Sequence, residues 1–80
     1  MKVYLCKVYN GNLRDWVDLG VFSTCAKAME YGSLHILSMC ENVTLLDWDH
    51  NNGVCIDWYQ NTNGRDFIRI IKETEIDQGL

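Results

Sequence analysis

The 80-residue chain contains no proline, and no apolar run in it approaches the roughly 18 residues that a membrane-spanning helix needs. The first seven residues include an apolar stretch that is too short for a signal peptide and is followed at once by Lys7. These absences predict a cytoplasmic protein without a membrane segment.

Clustered basic residues are also lacking. Seven Lys and Arg residues are scattered along the chain against eleven Asp and Glu residues, which gives a formal net charge of −4. Proteins that bind nucleic acid directly need a basic surface that neutralises phosphates. The composition therefore argues against direct nucleic-acid binding, and the dispersed acidity points to solubility at least as much as to a basic partner.

The four cysteines show no C-x-x-C spacing and lie far apart, at Cys6, Cys25, Cys40 and Cys55. Two disulfides would allow three connectivities, but without an export signal reduced thiols are the expected state. Structural zinc sites usually take their ligands in close pairs, so zinc is disfavoured too. We expect no metal and no cofactor.

Turn signals come from three Asn-Gly steps, each between apolar or β-branched segments: Asn10-Gly11, Asn52-Gly53 and Asn63-Gly64. Asn-Gly favours the type I′ turn of a β-hairpin, because both central residues of that turn need positive φ. The first hairpin is predicted to pair residues 2–9 with residues 13–21. Strands over residues 43–49, 54–61 and 65–72 follow later in the chain.

One helix is predicted between the second and third strands. Ser23 and Thr24 offer an N-cap, and apolar residues recur at helical spacing from Cys25 to about Cys40. Gly32 stands where the helix would approach a sheet closely. The prediction is a single α+β domain over residues 1–72, with an antiparallel sheet of about five strands in the order β-β-α-β-β-β, one helix packed on one face, and a polar tail over residues 73–80.

Each of the three tryptophans follows an aspartate, in the steps Asp15-Trp16, Asp47-Trp48 and Asp57-Trp58. A two-residue turn at Asn52-Gly53 predicts that Trp48 lies opposite Asp57 and Asp47 opposite Trp58. The same rule at Asn63-Gly64 predicts Trp58 opposite Arg69, in reach of a cation–π contact.

Two catalytic or metal-binding interpretations fail on spacing. Asp47, Asp49 and Asn51 begin like a calcium loop, but the glycine comes one place late and Trp58 stands where the bidentate glutamate belongs. Cys25 at the helix start could be a nucleophile, yet His35 would lie roughly 15 Å along the same helix, and the sequence does not place His50, the other possible base, relative to Cys25. We expect no enzymatic activity.

The stretch Gly20-Val21-Phe22-Ser23-Thr24-Cys25-Ala26-Lys27-Ala28, together with the closing Phe67-Ile68-Arg69-Ile70, resembles small phage and prophage proteins of the hairpin-helix-meander type. Proteins of this kind include inhibitors of bacterial defence systems, such as anti-CRISPR proteins. The resemblance implies a small protein that blocks a host protein by binding it.

The sequence therefore predicts a phage-type protein that binds and inhibits a host protein, in a nucleic-acid-handling defence complex such as CRISPR-Cas, without catalysis. Aromatic anchors bordered by acids are typical of interface hot spots. The candidate partner-binding residues are Trp16, Asp47, Trp48, Asp49, Asp57, Trp58 and Tyr59. The alternative is a small-molecule or nucleotide-binding module that acts as a dimer. A homodimer through a sheet edge or the uncovered aromatic face, with Trp48 or Trp58 near the contact, is a further hypothesis, and the same surface could instead be reserved for a host target.

Overall fold

A computed structural model describes residues 1–40 and 42–76 of the chain. It contains five strands and one helix, and it confirms the predicted α+β class with one antiparallel sheet. The elements are β1 (Lys2–Asn10), β2 (Asp15–Phe22), α1 (Cys25–Met39), β3 (Val43–Asn51), β4 (Val54–Asn61) and β5 (Asp66–Glu75).

The strands lie in the order β2-β1-β5-β4-β3, and every neighbouring pair is antiparallel. The last strand, β5, thus enters between the two hairpins and joins them into one sheet. This leaves β2 and β3 as the edge strands.

Helix α1 begins where the sequence predicts. The Thr24 hydroxyl accepts a hydrogen bond from the Lys27 backbone N–H at 3.1 Å, which caps one of the free amides of the first turn. Ala28, Gly32 and Ile36 form the buried stripe that faces the sheet. A Cβ on Gly32 would lie 2.6 Å from Arg69 Cδ, so the predicted close approach is confirmed.

The core lies between α1 and the half of the sheet made of β2, β1 and β5. Its fully buried side chains form two adjoining clusters, namely Cys6, Ala28 and Ile71, and Val8, Ile36 and Phe67. The helix packs mainly on β1 and β5, with β2 beside them. Cys55, Tyr59 and Val43 reach the margin of this core, but within residues 1–40 and 42–76 no element packs over most of the helix side of β4 and β3.

The Asn52-Gly53 turn is the predicted two-residue hairpin loop. Asn52 has φ 51° and Gly53 has φ 77°, as a type I′ turn requires. Trp48 pairs with Asp57 and Asp47 with Trp58, as predicted.

The Asn63-Gly64 turn is longer than predicted. The Asn61 backbone N–H donates to the Arg65 carbonyl, which leaves a three-residue loop with Gly64 at φ 77°. The Asn61 side chain stabilises this loop by accepting from the Asn63 and Arg65 amides. The extra residue shifts the register by one, so the predicted Trp58–Arg69 pair is wrong: Trp58 faces Ile68 instead.

The first turn also differs from a type I′ loop. Residues 11–14 form the loop, Arg14 has φ 56°, and its N–H donates to the Asn10 carbonyl at 2.7 Å. Gly11 allows this loop to pack closely on the start of β5, since a Cβ at Gly11 would collide with the Asp66 backbone. The Asn10 side chain accepts from the Asn12 and Leu13 amides and fixes the loop.

Strand β5 extends three residues beyond its predicted end at residue 72, and the Met1 ammonium group lies 3.0 Å from the Glu75 carboxylate. Residues 73–75 of the predicted tail therefore belong to the sheet, whereas residues 77–80 lie outside the described part of the chain. Within the described residues, no helix has the length and apolar character needed to cross a membrane.

Candidate functional site

Helix α1 packs on one face of the sheet, and we call the opposite face the open face. The strand register aligns its side chains in three rows that cross β2, β1, β5, β4 and β3 in that order. The first row is Val21, Leu5, Lys72, Val54 and Asn51; the second is Asp18, Lys7, Ile70, Ile56 and Asp49; the third is Trp16, Tyr9, Ile68, Trp58 and Asp47.

The third row is an aromatic band. Trp16 packs edge-to-face on Tyr9 with ring centroids 5.5 Å apart, and Lys7 Nζ lies 5.0 Å from the centroid of the Trp16 ring. The Trp58 indole N–H donates to the Asp66 carboxylate at 3.1 Å, which fixes that ring on the surface. The band places two of the three tryptophans in one row, with Tyr9 and Ile68 between them.

Charge is distributed unevenly over the open face. Asp47 and Asp49 stand on the β3 edge and Asp18 on the β2 edge, while Lys7 and Lys72 stand between them on β1 and β5. Among residues 1–40 and 42–76, none of these five charges has an opposite charge within 4.0 Å. A groove of about 460 Å³ lies between the lysines, with walls that include Leu5, Trp16, Val21, Val54 and Ile70.

The helix side of β4 and β3 carries a second apolar surface, which we call the uncovered strip. It consists of Leu37 on α1 with Val43, Leu45, Trp48 and Tyr59 on the strands. Trp48 is the most exposed of the three tryptophans, at 62% of its surface. Leu37, Val43 and Tyr59 also line a cleft of about 100 Å³ at the junction of helix and sheet.

A buried ion pair lies beneath the uncovered strip. Arg69 donates to the Asp57 carboxylate from Nη2 at 2.8 Å and from Nε at 3.3 Å, and each side chain is only 4% exposed. Arg69 Nη1 also donates to Ser33 Oγ at 2.6 Å and to the Met29 carbonyl at 3.0 Å. One guanidinium therefore ties β4, β5 and α1 together.

Two further groups complete this polar centre. His50 Nε2 lies 2.8 Å from the second oxygen of Asp57, and the Arg69 guanidinium carbon lies 5.7 Å from the Tyr59 ring centroid. A fully paired buried network favours one arrangement of the side chains around it. The floor of the uncovered strip is thus held in a fixed geometry.

The Asp-Trp steps have different roles at the edges and in the interior of the sheet. On the edge strands, the Asp15 and Asp47 carboxylates each accept the backbone N–H of the following tryptophan at 2.8 Å. Sheet edges expose free amides that invite pairing with another chain, and charged side chains blunt them. The third step lies on the interior strand β4, where Asp57 pairs with Arg69 instead.

The predicted site residues divide into three groups. Trp16, Asp47, Asp49 and Trp58 share the open face, whereas Trp48 and Tyr59 lie on the uncovered strip. Asp57 lies inside the molecule and serves the buried ion pair.

Sequence reasoning missed several residues of both surfaces. It did not identify Arg69 and Ser33 as the centre beneath the uncovered strip, or Lys7 and Lys72 as the cations of the open face. Ser33 directly follows Gly32, where the helix was predicted to approach the sheet closely. A polar residue at that point of the helix was the signal in the sequence for a polar contact with the sheet.

The cysteines are free thiols, and three of them gather at one end of α1. Burial raises the pKa of Cys55, and the neighbouring Cys25 thiol and Asp57 carboxylate act in the same direction. Burial also raises the pKa of Cys6. A catalytic cysteine needs a lowered pKa, so these two thiols are not activated nucleophiles.

Within the described residues, no group of three His, Cys, Asp or Glu side chains has the arrangement of a metal site. In comparisons with known proteins, no family model matches this chain, and no curated protein or solved structure matches it significantly.

Proposed function

We propose that this protein acts without catalysis by binding another protein through the uncovered strip. The observation that carries the proposal is the exposure of Trp48 on the same side of the sheet as Leu45 and Tyr59, over a fully paired polar centre. Interface hot spots are enriched in tryptophan and tyrosine, and a fixed surface loses little conformational freedom when it binds.

The dimensions of the strip favour a helix as the bound element. Strands are spaced about 4.8 Å apart, so β4 and β3 together present a surface roughly 10 Å wide. A helix with its side chains is about 10–12 Å across. A partner helix with an apolar stripe would lie beside α1, cover Trp48 and place one side chain in the cleft lined by Leu37 and Tyr59.

The resemblance to small phage proteins points to a host protein as the partner, in a defence complex such as CRISPR-Cas. Such complexes handle nucleic acid, but this chain carries a net charge of −4 and no basic cluster. It therefore inhibits by occupying a protein component of the complex and leaves the nucleic acid itself uncontacted.

The test is a phage infection assay in bacteria whose CRISPR-Cas system targets the infecting phage. Expression of the wild-type chain restores plaques, and Trp48→Ala abolishes the restoration because it removes the anchor. Trp16→Ala is the matched control, since it removes an exposed tryptophan from the open face and keeps the activity.

Binding should follow the same order as activity. Immobilised wild-type and Trp16→Ala chains should retain a purified defence complex, and immobilised Trp48→Ala should not. A wild-type chain that neither restores plaques nor retains any complex contradicts the proposal. Equal losses in Trp48→Ala and Trp16→Ala contradict the placement of the binding surface.

The open-face groove favours a second candidate function, the binding of a nucleotide. Its volume of about 460 Å³ suits a small ligand, Trp16 offers a surface for base stacking, and Lys7 and Lys72 could pair with phosphates. A rise in the melting temperature with millimolar ATP that is lost in Trp16→Ala supports this function. An unchanged melting temperature with all common nucleotides excludes it.

A further inference from the structure

We propose that the open face docks a second copy of this chain. The two copies are related by a two-fold axis that runs nearly parallel to the strands, between β5 and β4. This interaction is separate from the uncovered strip, which lies on the other side of the sheet and stays accessible in the dimer.

The sheet edges are poor alternatives for self-association. The Asp15 and Asp47 carboxylates occupy the Trp16 and Trp48 amides on the two edge strands. An added strand would have to displace these charge-assisted hydrogen bonds and bring the aspartates of two copies together. The open face has no such protection.

The register makes the open face complementary to itself. A two-fold rotation about this axis keeps each row in place, so it sets β5 over the second copy's β4, and β1 over the second copy's β3. Ile70 then faces the second copy's Ile56, and Ile68 faces the second copy's Trp58. Aligned sheets pack at about 30° to one another because each sheet is twisted, so the strands of each copy are inclined by about 15° to the axis, and the rows keep their order close to it.

The same rotation pairs some of the charges of the open face, whereas Lys72 in the first row faces the second copy's Val54. Lys7 in the second row faces the second copy's Asp49, and the symmetry repeats this pair on the other side of the axis. In the third row, Tyr9 faces the second copy's Asp47, which can accept from the phenol hydroxyl. Lys7 and Asp49 have no opposite charge within 4.0 Å among the described residues of one chain, and the dimer supplies a partner for each.

The area suffices for a specific dimer. Four overlapping strands at about 4.8 Å spacing, each about 28 Å long, cover roughly 530 Å² per copy before side-chain relief is added. Both copies together reach about 1,000 Å², the size that separates specific interfaces from casual contacts. Strand β2 stays outside the overlap, so the wall formed by Trp16 and Val21 remains open.

The test uses charge reversal in two different chains. Lys7→Asp places an aspartate against the second copy's Asp49, and Asp49→Lys places a lysine against the second copy's Lys7. Each variant alone should be monomeric in size-exclusion chromatography with light scattering at concentrations where the wild type has twice the mass of one chain. An equimolar mixture of the two variants should recover the dimer, because the two substituted positions then face each other with opposite charges, and the unchanged Asp49 of one chain pairs with the unchanged Lys7 of the other.

Glu30→Lys and Lys27→Asp on the exposed side of α1 are matched controls, and they should leave the wild-type mass unchanged. Circular dichroism verifies that each variant is folded. A wild-type mass of 9.3 kDa at every concentration overturns the proposal. Single variants that remain dimeric, or a mixture that remains monomeric, overturn the placement of the axis.

Discussion

Arg69 and Asp57 form an ion pair of 2.8 Å in which both side chains are 4% exposed. The pair links helix α1 to the β3 edge of the sheet. Arg69 donates hydrogen bonds to Ser33 and to the Met29 carbonyl on α1, and Asp57 is hydrogen-bonded to His50 on β3. The charges are buried but fully hydrogen-bonded, which is the condition under which a buried pair is tolerated.

Removing one member of this pair should destabilise the fold strongly. Asp57→Asn leaves the Arg69 charge without a counter-charge in the interior, and such changes cost about 3–5 kcal/mol. The total stability expected for a domain of this size is about 4–12 kcal/mol, so much of it would be lost. Urea unfolding followed by circular dichroism measures the difference.

Glu30→Gln is the matched control for Asp57→Asn, because it makes the same chemical change at an exposed position of α1. Its effect should lie within about 0.5 kcal/mol of zero. Similar unfolding midpoints for the two variants would show that the ion pair is not structural.

Gly32→Ala tests the close approach of α1 to β5. In an exposed helix position this change stabilises by up to about 1 kcal/mol. Here the new Cβ meets Arg69 Cδ at 2.6 Å, and four hydrogen bonds keep Arg69 from moving aside. Overpacking of this kind costs about 1–3 kcal/mol, so the net effect should be destabilising. A higher melting temperature than that of the wild type would contradict the packing.

The edge aspartates should protect against aggregation. Asp15→Ala together with Asp47→Ala frees the Trp16 and Trp48 amides and should increase light scattering over time at micromolar concentration. The corresponding double asparagine variant loses the same charges but keeps an oxygen acceptor for each amide. It should scatter much less than the alanine variant, and equal scattering would assign the protection to charge alone.

Stability should fall at high pH because of one buried and two half-buried thiols. The pKa values of Cys6, Cys40 and Cys55 are raised above the ordinary value of 9.0, mainly by burial. The unfolded chain then loses these protons at lower pH than the folded chain, so the free energy of unfolding decreases as the pH rises through and above 9. Thermal melts from pH 7 to pH 10 should show this decrease, with a shallower slope in the Cys6→Ala, Cys55→Ala double variant.

Local signals in the sequence predicted much of the fold. Asn52-Gly53 determines its turn because both residues tolerate positive φ, and Thr24 determines the helix start through its hydroxyl. The strand order could not be predicted from such local signals. Strand β5 lies between β1 and β4 through pairings across the whole chain, and no short stretch encodes them.

The candidate site was predicted less completely, because it depends on register. The loop Thr62-Asn63-Gly64 has one residue more than the predicted turn, so Arg69 pairs with Asp57 and not with Trp58. The polar centre beneath the uncovered strip depends on this register. The tryptophans lie on two surfaces because successive side chains of a strand point to opposite faces of the sheet. Composition alone suggested a single aromatic site.

The most direct test of two separate surfaces is photo-crosslinking in infected host cells, with p-benzoylphenylalanine in place of either Trp48 or Trp58. At position 58 the crosslinked product should have twice the mass of the chain, because that position faces a second copy across the open face. At position 48 the product should contain a host protein. A host protein crosslinked at position 58, together with the doubled mass at position 48, would contradict the assignment of both surfaces.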